Sequence, residues 1–288
     1  MTNTVEQLLA DAARELGMNR AREEALREGQ ILLGFVLGVS RAWLIAHRQD
    51  KVDAAPAAAF AAQLVRRARG EPVAYLVGQR EFYGRAFQVT PDVLIPRPET
   101  ELLIDAALSR LPAEADCDVL DLGTGSGCIA VTLSLERDRA RVCACDLSVS
   151  ALAVAEGNAR QLGAGVEFLE SDWFQRLPNR RFDLIVANPP YIASGDPHLG
   201  QGDLRFEPQF ALSAGADGLA DIRRIVGEAL DHLHDGGWLI LEHGHEQSPA
   251  CRQMMIKAGF TDVFDMRDLA GLPRICGGRL LTGKTPTR

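Results

Sequence analysis

The apolar positions change their spacing twice along the chain. From Thr4 to Gly70 they recur at helical intervals, as in Leu8, Leu9, Ala12, Ala13 and Leu16, within a stretch rich in Ala, Leu, Arg and Glu. Gly17, Gly29, Gly38, Ser40 and Pro56 punctuate it, which predicts about four helices in a small domain over residues 1–70. Residues 71–98 mix β-branched and aromatic side chains, with Gly84 between two short runs, and predict a β-hairpin linker.

From 99 to 288 short apolar runs alternate with helical stretches. Strands are expected at 118–123, 141–146, 165–170, 182–188 and 237–244, with later ones near 262–266 and 279–283. Helices are expected at 99–110, 127–136, 149–162, 218–234 and 247–259. Near-continuous apolar strands separated by helices mean an α/β fold whose parallel sheet is covered on both faces. The tail GKTPTR, 283–288, reads as disordered.

Composition narrows the class. The 288 residues are 47% hydrophobic and 24% charged, ordinary for a globular chain long enough to bury a core without disulfide or metal staples. Lys and Arg number 31 against 39 Asp and Glu, and the net charge of −8 argues against a broad phosphate-neutralising surface. Cys117, Cys128, Cys143, Cys145, Cys251 and Cys276 include no CxxC pair and read as reduced core thiols. Cys143 and Cys145 share one side of a strand, but two thiols do not make a zinc site, so no metal is expected. The opening MTNTVEQLLADAARELG is charged throughout and lacks the basic and apolar regions of a secretory leader. No apolar run reaches the roughly 18 residues that span a bilayer. A cytoplasmic protein is expected.

The segment DLGTGSG, 121–127, follows an expected strand and opens an expected helix, the setting that separates a binding site from a mere tight turn. Gly123, Gly125 and Gly127 let backbone approach a ligand, with Thr124 and Ser126 between them. Their GxGxG spacing after an acid departs from the GxGxxG of dinucleotide sites. A helix N-terminus favours a carboxylate, such as that of an amino-acid moiety. Asp121 is placed to accept from an ammonium or a bound water, and would repel a diphosphate. Asp146 ends the next strand, where an acid commonly binds the two hydroxyls of a ribose. One strand later, Asp172 and Trp173 put an acid and an indole where an adenine ring is hydrogen-bonded and covered. In series these elements fit S-adenosylmethionine.

Asn188, Pro189, Pro190 and Tyr191 follow the strand FDLIVA, at the edge where open α/β sheets bind ligands. Consecutive prolines fix φ and remove two donors, leaving rigid carbonyl acceptors. An amide or aniline-like NH2 is a poor nucleophile because its lone pair is delocalised. If the Asn188 side-chain oxygen and the Pro189 carbonyl each accept one N–H, the lone pair is aimed at the sulfonium methyl, with Tyr191 packed over the acceptor plane. The bland alternative is a rigid turn after the strand.

These motifs, with RPETE at 97–101, EHGHEQ at 242–247 and DLAGLPR at 268–274, resemble the protein-(glutamine-N5) methyltransferases that modify bacterial class I peptide chain release factors. The resemblance covers nearly the whole chain, the helical N-terminal domain and hairpin included. It implies a Rossmann-like class I methyltransferase domain with a mostly parallel seven-stranded sheet over 99–288, joined through the 71–98 hairpin to a substrate-recognition domain over 1–70. The implied reaction moves a methyl group from S-adenosylmethionine to the side-chain amide of the glutamine in the release factor's Gly-Gly-Gln loop, leaving S-adenosylhomocysteine. Cofactor contacts carry over onto Gly123 to Gly127, Asp146, Trp173 and Asn188, and glutamine binding onto Asn188 to Tyr191. Ser126 in place of a second Thr is a small change.

An adenine-N6 nucleic-acid methyltransferase shares the NPPY chemistry, and the acidic total disfavours it. A non-catalytic nucleoside-binding scaffold is disfavoured by the intact glycine loop and acceptor segment together. The protein is therefore expected to be a monomer that binds release factors, without membrane or stable nucleic-acid partners. Arg97, Pro98, Glu99 and Thr100 read equally as helix-start chemistry or as a cover for the cofactor. His243 and His245 with Glu242 and Glu246 lack the helical spacing of HExxH and read as a strand terminus. Arg66, Arg67 and Arg69 read as a solvated helix face.

Overall fold

The structure, a computed structural model, describes residues 3–18 and 21–282. The GKTPTR tail lies outside the described residues. The chain divides into two compact units between Gln79 and Arg80.

The first unit is helical: α1 (Val5–Leu16), α2 (Arg22–Leu37), α3 (Arg41–Ala46), α4 (Ala54–Ala68) and α5 (Val73–Val77). Thr4 and Gln7 close a capping box at the start of α1, satisfying two amides that lack helical partners. Val5, Leu8, Ala12, Leu32, Leu33, Phe60 and Leu64 form its core. Position 67 follows Phe60 and Leu64 at helical spacing, so Arg67 points inward, only 3% exposed. Its guanidinium donates to both oxygens of Glu28, at 2.9 and 2.7 Å. The solvated-face reading of the arginine run therefore fails at Arg67, because a bidentate acid partner makes its burial tolerable.

Residues 71–98 are not hairpin throughout, since α5 occupies part of them. The hairpin is β1 (Gln79–Phe82) with β2 (Arg85–Gln88). It packs on the second unit: Phe82 and Phe87 join that unit's core, and the Gln88 backbone exchanges hydrogen bonds with the Asn158 amide at 2.7 and 3.0 Å.

The second unit continues with α6 (Glu101–Leu108), β3 (Cys117–Leu122), α7 (Cys128–Glu136), β4 (Ala140–Asp146), α8 (Val149–Leu162), β5 (Val166–Glu170), β6 (Phe182–Ala187), α9 (Ala220–Glu228), β7 (Leu233–Glu242), α10 (Ser248–Ala258), β8 (Thr261–Arg267) and β9 (Pro273–Arg279). Among the described residues its sheet has seven strands in the order β5-β4-β3-β6-β7-β9-β8, with β9 antiparallel to both neighbours. Strand residues alternate between two cores. Val119, Val142, Leu184 and Ile240 face α6, α7 and the hairpin, while Leu120, Cys143, Ile185 and Leu239 face α9 and α10. The six cysteines are free and buried. No helix among the described residues is long and apolar enough to cross a membrane.

The last strand lies at 273–279, not 279–283. Its Pro273, Gly277 and Gly278 disguise it, yet both glycines are packing requirements. A Cβ on Gly277 would sit 2.4 Å from the Phe264 ring and one on Gly278 2.8 Å from Phe260. The expected helix 218–234 ends early, giving way to a 3-10 turn at Ala229–His232 and then to β7. β7 begins before the expected 237 because Gly236, at φ +83°, lets it shift register against β6.

Candidate active site

The strand order reverses between β3 and β6, and the carboxyl ends of β3, β4 and β6 deliver Asp121, Asp146 and Asn188 to the crevice there. Asn188 Nδ2 donates to Thr100 Oγ1 at 3.2 Å. The Thr100 hydroxyl in turn donates to Glu242 Oε2 at 2.7 Å, and the Tyr191 hydroxyl to Oε1 at 3.4 Å. Glu242 closes β7 at 1% exposure, and burial pushes its carboxyl up to about 7. Burial, with Glu242 beside it, raises the Tyr191 phenol as well. Gln247 fixes the segment from behind, donating to the Tyr191 carbonyl at 2.9 Å. Glu242 and Gln247, rather than either histidine of EHGHEQ, are thus the members tied to the acceptor segment.

The glycine loop is fastened largely through its own amides. Gly123 and Thr124 N–H donate to the Cys145 carbonyl at 2.9 and 3.0 Å, Gly127 N–H to Thr124 at 2.8 Å, and Gly125 N–H to Asp146 Oδ2 at 2.9 Å. Those amides are engaged, so an anion would meet only the ones further round the turn. Gly127 sits at φ +80° as the cap of α7, against Ala155. Asp121 accepts from Thr124 Oγ1 at 2.6 Å and from Ala130 N–H at 3.2 Å through one oxygen. Its other oxygen is buried without a partner among the described residues, and burial pushes the carboxyl up to about 7.

Asp146 also accepts from Ser148 N–H at 2.9 Å, so each of its oxygens takes one backbone bond and keeps a lone pair for a ligand. Asp172 is less available than its type suggests. Arg224 donates to Oδ1 at 2.7 Å and Gln175 to Oδ2 at 2.9 Å. Trp173 adopts φ +51°, held by Ser171 Oγ donating to its carbonyl at 2.8 Å. Its indole lies against Gly123, and the carboxyl of Asp221, on the same cavity wall, is raised by burial.

A cavity of about 880 Å³, continuous with solvent, brings together Gly123, Gly125, Asp146, Asp172, Trp173, Asn188 and Pro190. Thr124, Ser126, Gly127, Pro189 and Tyr191 are not among its lining residues. The sequence reading missed other parts of that wall: Asp92, Val93 and Leu94 after the hairpin, Leu147, Phe210, and the pair Asp221 and Arg224 on α9. Leu147, 64% exposed beside Asp146, is an apolar residue left uncovered on that wall. The RPETE segment does not line the cavity, and Arg97 instead pairs with Glu207.

The methyltransferase small domain family matches residues 100–201, and the PrmC N-terminal domain family matches residues 7–78. A solved methyltransferase from Pyrococcus furiosus shares the fold at TM-score 0.53 and 16% identity, covering 77% of this chain and 99% of its own. A T. thermophilus 16S rRNA methyltransferase solved with AdoMet and guanosine does so at TM-score 0.54 and 21% identity, covering 70% of this chain and 49% of its own. The second unit is a class I methyltransferase domain. Release factor glutamine methyltransferases from Bordetella pertussis and Burkholderia pseudomallei are 52% and 50% identical, over 95% and 96% of this chain and 99% of each relative. That of Escherichia coli K12 is 44% identical over 90% of this chain and 94% of its own. The chain belongs to the release factor glutamine methyltransferase family of enzymes.

The fold implies S-adenosylmethionine, and the residues present fit it. The unpartnered Asp121 oxygen lies two residues from the cavity wall and suits an ammonium. The free lone pairs of Asp146 suit a diol, and Trp173, Leu147 and Phe210 supply apolar surface for a flat ring.

Proposed function

We propose that the protein methylates the side-chain amide nitrogen of the glutamine in the Gly-Gly-Gln loop of class I peptide chain release factors, with S-adenosylmethionine as donor. One observation supports it above the others: Asn188, on the cavity wall, has its amide nitrogen engaged by Thr100, which leaves its oxygen for an incoming N–H. Asp146 would hold the cofactor's ribose and Trp173 its ring, and the loop from Gly123 to Gly127 would hold its amino-acid end. Bound there, the cofactor supplies an electrophilic methyl on a positively charged sulfur. Asn188 Oδ1 and the Pro189 carbonyl accept the two amide hydrogens and turn the nitrogen lone pair toward that methyl, with Tyr191 packed over the amide plane. As the N–C bond forms the C–S bond breaks, its electron pair stays on sulfur, and one amide proton is released.

The helical unit that ends at Gln79 is the part we assign to recognising the release factor. The protein acts as a cytoplasmic monomer in translation termination, without membrane or stable nucleic-acid partners. Incubation with labelled S-adenosylmethionine and a release factor, followed by peptide mass analysis, places the label on the loop glutamine. Label on nucleic acid, with none on the release factor, overturns the reading.

A further inference from the structure

We propose that Thr100 and Glu242 are positioning residues that decide which way the Asn188 amide points, a proposal that rests on the methyl-transfer reading above. An asparagine amide is nearly symmetric in shape, so packing alone does not choose between its two orientations; hydrogen-bond polarity does. A threonine hydroxyl has one hydrogen to give. Glu242, buried at the end of β7, takes that hydrogen at 2.7 Å. Thr100 Oγ1 therefore meets Asn188 with lone pairs only, and the group 3.2 Å away is the Nδ2 N–H. That leaves the carbonyl Oδ1 as the end of the amide free to serve a ligand in the cavity that Asn188 lines. With the polarity reversed, Asn188 would offer N–H groups to a substrate that also offers N–H groups, and the substrate amide would lose an acceptor.

The same carboxylate takes the Tyr191 hydroxyl on its second oxygen, so one buried acid sets both ends of the 188–191 segment. Arg274 and Glu99 are the other charged groups that act on it. The cavity lining includes neither Thr100 nor Glu242, so both act through Asn188 and not on the cofactor.

The test compares wild type with Thr100→Val, Thr100→Ser and Glu242→Gln at about pH 8.5, above the value near which Glu242 titrates. Three quantities are read: S-adenosylmethionine affinity by calorimetry, kcat on a release factor, and solvent exchange of the Asn188 amide hydrogens by NMR, assigned by their loss in Asn188→Asp. Thr100→Val keeps the shape and removes the acceptor. It lowers kcat about 10- to 100-fold, leaves cofactor Kd within about threefold, and speeds amide exchange. Thr100→Ser restores kcat to within about threefold of wild type. Glu242→Gln, which places a donor opposite Thr100, lowers kcat as Thr100→Val does. Unchanged kcat or unchanged exchange in Thr100→Val overturns the proposal, as does a parallel loss of affinity and turnover that Thr100→Ser fails to repair. A wild type that leaves the release factor unmethylated defeats the functional reading instead, and the exchange measurement, which uses no substrate, still decides the orientation.

Discussion

Arg97 and Glu207, 110 positions apart, are joined at 2.5 Å, and the Glu207 side chain is fully buried. The second Glu207 oxygen accepts from the Ile95 N–H at 3.0 Å. The pair ties the stretch that brings Asp92 to Leu94 to the cavity to the long loop that brings Phe210, so two walls of the crevice depend on one carboxylate.

Glu207→Ala removes that tie and leaves the Ile95 amide and the Arg97 guanidinium without it. Stability falls by about 2 to 4 kcal/mol, discounted for the partial exposure of Arg97, and S-adenosylmethionine affinity falls about tenfold. Urea unfolding and calorimetry measure the two; affinity that survives a clear stability loss would separate the pair from the cavity.

Asn188→Ala lowers kcat about 100-fold or more while cofactor Kd moves much less, because the lost acceptor acts on the substrate amide. Asp146→Ala shows the opposite balance, with Kd raised about 10- to 100-fold. Steady-state kinetics beside direct binding checks both, and equal losses in Asn188→Ala would make it chiefly a cofactor contact.

Asp121 and Glu242 both titrate at about 7 in the folded protein, raised from 3.8 and 4.5 by burial. The native state therefore holds protons that the unfolded chain has released. This contribution is fully present below about pH 4 and is lost as pH rises through about 7, on the order of 3 to 4 kcal/mol for each acid. Asp118 and Glu167, lowered by Arg141 and Arg180, contribute with the opposite sign, at more acid pH. Urea midpoints should fall between about pH 5 and 7.5, and Glu242→Gln should flatten part of that slope; an unaltered slope removes Glu242 as a cause.

Gly127→Ala and Gly125→Ala differ in outcome although both residues have positive φ, +80° and +56°. A Cβ at Gly127 would lie 2.9 Å from the Ala155 Cβ, whereas one at Gly125 meets nothing within 4 Å. Gly125→Ala costs about 1 to 2 kcal/mol of strain, and Gly127→Ala more because α7 must also move off α8. Thermal unfolding of the two variants gives the comparison.

The site was legible where chemistry is concentrated in a few adjacent residues. Gly123, Gly125, Asp146, Trp173, Asn188 and Pro190, which line the cavity, each end or closely follow a strand, so a one-dimensional pattern singled them out. Thr100 read equally as helix-start chemistry or as a cover for the cofactor, and its link to Glu242 spans 142 positions, farther than any spacing rule reaches. Asp172 read as an adenine contact because its type and place suited one, and Arg224, 52 positions on, gave it another partner. Strand β9 hid behind its glycines, whose purpose appears only when Phe260 and Phe264 are in place.

The loop from Gly123 to Gly127 is held by Cys145 and Asp146 through its own amides, so its shape is set by bonds within the protein. A floor fastened by those bonds keeps its shape when a methyl group leaves. Under the proposed reaction, the spent donor keeps the ribose, the ring and the amino-acid end that such a floor holds, and loses only a methyl and a charge. Product inhibition follows: the site will retain S-adenosylhomocysteine nearly as firmly as its precursor, and the ratio of the two in the cell will throttle how fast release factors are modified.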